Sequence, residues 1–120
     1  MILKATLPMA SCEQFLSLAQ QGAEGEEVKM AGIAQTGVGI VHLGLFGGKL
    51  AAVADRLATN TRKAAEGLGG ALVVEQYPKG FNGEWDVWGS AGDAFEAMRG
   101  LKAAWDPKGI LAPGRFVGGI

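Results

Sequence analysis

Val28-Lys29-Met30-Ala31-Gly32-Ile33-Ala34-Gln35-Thr36-Gly37-Val38-Gly39-Ile40-Val41-His42-Leu43-Gly44-Leu45-Phe46 is the stretch that sets the fold. Met30, Gly32 and Ala34 alternate with Lys29, Ala31, Ile33 and Gln35, and a period of two puts side chains on opposite faces of a strand. Thr36-Gly37 offers a turn. Residues 38–46 then run on as a second strand, with Val41, Leu43 and Leu45 on one face. Two strands joined so tightly read as a β-hairpin. A lone hairpin is marginal in water, so its apolar face needs further strands or helices.

Both flanks supply them. Upstream, residues 2–7 form a strand with Leu3, Ala5 and Leu7 on one face, ended by Pro8. Ser11-Cys12-Glu13-Gln14 has the pattern of a capping box, and Cys12, Phe15, Leu16 and Ala19 follow as one helical stripe, with Gly22 as the stop. Downstream, residues 49–66 make the longest helix, its stripe running through Leu50, Val53, Ala54, Leu57, Thr61, Ala64, Ala65 and Leu68. Arg56, Asn60 and Lys63 face the other way. Gly67 and Gly69-Gly70 end this helix, and residues 71–74 form a fourth strand. The order is βαββαβ. It predicts an α+β, ferredoxin-like fold, a four-stranded antiparallel sheet with both helices on one face. The free face of such a sheet is solvated or covered by a partner.

Residues 77–120 read as a C-terminal extension within a single domain spanning residues 1–120. Phe81, Trp85 and Trp88 crowd a Gly-rich stretch, and Asp93-Ala94-Phe95-Glu96 repeats the capping-box pattern. The helix it starts has Ala94, Met98, Leu101 and Trp105 on one stripe. Asp106-Pro107 stops it, because a residue before proline is turned away from the helical region. The tail beyond carries Ile110, Leu111 and Phe116 around a Pro-Gly turn. Disposable tails are polar and mobile, so this one is expected to lie against a surface.

Composition removes several classes of function. The net charge is −1 and 48% of residues are apolar, which fits a folded, neutral domain. No basic run exceeds Arg62-Lys63, so nucleic acid and anionic membrane are poor partners. Cys12 is the only cysteine and His42 the only histidine, which leaves no zinc site of those ligands and no internal disulfide. Cys12 reads as a small buried residue in a reducing, cytoplasmic compartment. No apolar run is long enough to cross a bilayer. A strand beginning at residue 2 reads as part of a longer protein.

Self-sufficient catalysis is not visible. His42 shares a strand face with Ile40, Gly44 and Phe46 and is most simply a hydrogen-bonded strand histidine. Gly37-Val38-Gly39 precedes a strand, the reverse of a dinucleotide fingerprint, and Gly47-Gly48 is most simply the start of a helix. Ser11 and Ser90 suit caps and turns. Trp85 and Trp88 have the rings to stack on a flat ligand, but with no basic groove around them packing is the simpler role.

Asp86-Val87-Trp88-Gly89, then Met98-Arg99-Gly100-Leu101-Lys102, then Asp106-Pro107-Lys108-Gly109-Ile110-Leu111-Ala112-Pro113-Gly114-Arg115-Phe116 resemble the C-terminal end of FAD-linked oxidases of the vanillyl-alcohol-oxidase type. The nearest branch is the FAD-binding E subunit of bacterial glycolate oxidase, and a weaker similarity extends through residues 34–43. The resemblance implies that FAD is held mainly by an N-terminal domain of roughly two hundred residues or fewer, absent from this chain. It implies a ferredoxin-like cap that covers the flavin ring, contributes to the substrate pocket and sends its last segment back to the FAD domain. Cofactor contact is placed at Pro113, Gly114 and Arg115. Relatives usually have Asn at Ala112 and often His at Gln35. Relatives that oxidise 2-hydroxy acids directly carry a His-rich metal motif that this chain lacks, as the E-type subunit does.

Two functions follow. In the first, the chain is the cap of an FAD-dependent oxidoreductase acting on a small 2-hydroxy acid such as glycolate. Hydride would pass from substrate to flavin, and the 120 residues alone would be inactive. Its partners would be the missing FAD domain and other subunits of a glycolate oxidase-like complex. In the second, it is a non-enzymatic ferredoxin-like module that binds a small ligand or dimerises through the open sheet face or C-terminal segment.

Overall fold

A computed structural model describes residues 1–80 and 86–120. It divides into two units, Met1–Trp85 and Asp86–Ile120. In the first, β1 (Ile2–Thr6), α1 (Cys12–Gly25), β2 (Lys29–Gln35), β3 (Ile40–Phe46), α2 (Leu50–Gly67) and β4 (Ala71–Gln76) follow in chain order. The sheet runs β2-β3-β1-β4 with every neighbouring pair antiparallel. The α+β architecture with a four-stranded antiparallel sheet is the one the element order predicts.

One face of the sheet is dry. Leu3, Ala5, Val41, Leu43, Leu45, Leu72 and Val74 form one buried cluster with Phe15 and Ala19 of α1 and Leu57 and Ala65 of α2. Register explains it: Leu3 lies opposite Leu43 on one side and Val74 on the other, so a period-two pattern on each strand lands on one face. The opposite face carries Lys4, Ile33, Ile40, His42 and Val73, none of them buried.

Local details depart from the sequence pattern. Gly22 does not stop α1, which runs to Gly25 and closes where Val28 N donates to Ala23 O. Neither capping box forms: Ser11 makes no side-chain cap, and α3 starts after Ala94 without one. At α1 the reason is a 3-10 turn over Met9–Ser11. Ser11 is already helical there and its amide bonds Pro8 O, so its side chain does not act as the cap. The hairpin turn is likewise longer than Thr36-Gly37. Thr36–Val38 is a 3-10 turn that removes Val38 from the strand, and Gly39 closes it at φ 69°. A Cβ on Gly39 would sit 2.0 Å from Leu7 O, whose residue's amide donates to Gly39 O, so only glycine fits. β4 extends to Gln76, two residues beyond the expected end.

The second unit contains α3 (Phe95–Trp105) and the tail. The helix ends at Trp105, as Asp106-Pro107 dictates. Its stripe, however, covers no core: no residue of α3 is buried, and Leu101 and Trp105 are 53% and 79% exposed.

Candidate functional site

The residues that carried the family resemblance converge in the second unit. Asp86 Oδ1 accepts from the amides of Trp88 and Gly89 at 3.0 and 3.1 Å, folding Asp86-Val87-Trp88-Gly89 into an Asx turn. That turn presents the Trp88 indole, which donates to Arg115 O at 3.1 Å and meets the Phe116 ring edge-on at 5.1 Å. Trp88 therefore anchors the tail. Trp85, like Phe81, lies outside the described residues.

A second anchor was missed by reading residue types alone. Asp106 is 6% exposed, and its carboxylate accepts from Ile110 N and Leu111 N, both at 2.9 Å, and from the Lys102 ammonium at 2.7 Å. Lys102 also donates to Leu111 O. The Lys102 hydrogen bond and the two backbone amides lower the Asp106 pKa to about 2, against a smaller opposing cost of desolvation. The signal was present as Lys102 and Asp106 four residues apart, just before a proline.

These anchors hold open a groove of about 370 Å³ whose lining includes Met98, Leu101, Trp105, Leu111, Arg115 and Phe116. Of the predicted Pro113, Gly114 and Arg115, Arg115 is among the groove's lining residues and the other two are not. Arg115 N donates to Ala112 O at 3.2 Å, closing a turn in which Ala112 has φ 46° and Gly114 φ 72°. Arg115 is exposed and makes no ion pair among the described residues. Chemically the groove is an apolar trough with one unengaged cation at its lip, since the Lys102 ammonium is already held. A flavin dinucleotide carries a pyrophosphate, which calls for several converging amides or cations. These residues fit one contact to an anionic group and do not build a flavin site by themselves.

Other candidates are separate from this groove. His42 Nδ1 lies 3.4 Å from Glu75 Oε2 on the open sheet face, beside its cross-strand neighbour Lys4. Gly47-Gly48 leads into α2 with Leu50 N bonded to Gly47 O and no side-chain cap. Cys12 is buried and free. Among the described residues no cluster of three metal-ligating side chains occurs, and no helix is long and apolar enough to cross a membrane.

No curated protein and no solved structure matches this chain. The family described as FAD linked oxidases, C-terminal domain, matches residues 1–116, nearly the whole length. The sheet, α3 and the tail up to Phe116 all fall within that match. The chain belongs to the C-terminal domain family of FAD-linked oxidases.

Proposed function

We propose that this chain is the cap of an FAD-dependent oxidoreductase that oxidises a small 2-hydroxy acid such as glycolate, and that its C-terminal groove docks against the FAD-binding domain. The observation that carries this reading is the groove itself. Trp105, Ile110, Leu111 and Phe116 are 79%, 72%, 60% and 48% exposed, yet they are held in fixed turns by Trp88 and Asp106. Apolar surface ordered at such a cost in entropy is the mark of a docking face. Arg115 supplies the one polar contact, toward a phosphate or carboxylate of the cofactor domain. When bound, FAD would accept the reducing equivalents, and this chain would cover the substrate and exclude water.

Two measurements test the proposal. Desalting the chain after incubation with excess FAD should recover it free of flavin absorbance; stoichiometric retention would place the flavin site within these residues. Co-expression with an FAD-binding domain of the family should give an assembly that Leu111→Asp and Arg115→Ala each weaken by about tenfold or more, roughly 1.4 kcal/mol. Bleaching of the flavin by glycolate, ahead of other 2-hydroxy acids, identifies the substrate. No bleaching by any member of the panel would sink the substrate assignment.

A further inference from the structure

The geometry points to a second copy of this chain as the partner of the β2 edge, paired antiparallel about a twofold axis at Gly32. β2 is the terminal strand of the sheet and pairs with β3 along its whole length without a register break. Leu45 of β3 exchanges both of its backbone bonds with Met1, each at 2.9 Å, and so faces β1. Antiparallel ladders alternate, so Met30, which lies opposite Leu45, turns its N–H and C=O outward, and Gly32 and Ala34 do the same. Among the described residues no backbone partner meets these groups.

Exposed edges are normally guarded by proline, bulges or charge. β4, at the other end, shows such guarding. Its pairing with β1 is irregular between Ile2 and Leu3, and Arg62 Nε donates to the Leu72 carbonyl at 3.3 Å. β2 has no proline, no bulge and one charge, Lys29, at its first residue. Its central Ile33 is 70% exposed.

The β2 sequence complements itself. A twofold at Gly32 sets Gly32 against Gly32 of the other copy, Met30 against Ala34, Ala31 against Ile33 and Lys29 against Gln35. Met30 faces Ala34 and Ile33 faces Ala31, large against small, and no like charges meet. The outward N–H and C=O of Met30, Gly32 and Ala34 all find partners. A Cβ at Gly32 would lie 3.1 Å from the Leu16 side chain and 3.3 Å from that of Leu43, so glycine packs closest there. The product is one continuous eight-stranded sheet with the helices of both copies on the same face.

Light scattering across a concentration series tests the pairing on the chain itself, with circular dichroism confirming the fold of each variant. The expected mass is twice 12.4 kDa, falling to 12.4 kDa for Ile33→Lys, whose exposed position leaves the fold intact while it brings two cations to the seam. Ala34→Pro removes an outward amide that β3 does not use and should weaken the dimer by about tenfold or more. Should Ala34→Pro unfold, Ile33→Lys alone decides. Leu111→Asp, in the C-terminal groove, should leave the dimer unchanged. A monomer at every soluble concentration would overturn the proposal, as would a dimer that survives Ile33→Lys and is broken by Leu111→Asp.

Discussion

Ala112 shows how a single position links backbone to family. Its φ of 46° lies in the left-handed region, which costs an alanine roughly 1–2 kcal/mol and is tolerated better by Asn or Gly. The Asn that the resemblance implies at this position would take up that backbone conformation with less strain. Ala112→Gly should therefore stabilise the tail turn by roughly 0.5–1 kcal/mol, read as slower exchange of the Arg115 amide. Gly39→Ala should do the opposite, destabilising the fold by about 1–3 kcal/mol in urea titration, whereas Gly37→Ala, with nothing within 4 Å, should be near neutral. Asp106 adds a pH dependence. Its folded pKa is lowered from 3.8 to about 2, so the stabilisation it gives is fully present above pH 3.8 and is lost as the pH falls through about 2. Carboxyl titration by NMR should show that midpoint, with the Ile110 and Leu111 amide shifts moving in step, and Asp106→Asn should abolish the transition.

Helices α2 and α3 show what an apolar stripe does and does not reveal. Both were legible in the sequence, and both form. In α2 the stripe meets the sheet, and Leu57 is 2% exposed; in α3 the stripe lines an open groove. Periodicity reports that a helix has an apolar side but not what covers that side. Leu57→Ala should cost about 2–5 kcal/mol, since it opens a cavity in the core. Leu101→Ala should change stability by within about 0.5 kcal/mol while weakening assembly with an FAD domain. The buried faces of the strands were legible from their period of two, whereas element ends shifted by one to three residues in strands and helices alike. The Ser11 capping box failed because the backbone upstream, which a four-residue motif does not contain, decided whether a cap was needed. The Asp106 anchor escaped notice because the importance of a carboxylate there depends on amides brought back by a turn.

For the whole molecule, the division into two units predicts uneven protection. Amides of Leu3 and Leu43, in a sheet between buried side chains, should exchange at rates set by global unfolding, while those of α3 open through smaller fluctuations. Hydrogen exchange followed by mass spectrometry checks this, and equal protection in both units would refute it. The two ends of the sheet carry a further consequence. Chains that stick at both edges polymerise without limit, as cross-β fibres do. With an irregular pairing and the Arg62 contact on the β4 side and neither on β2, growth is favoured at one edge of each molecule, which directs assembly toward a closed pair and away from a filament.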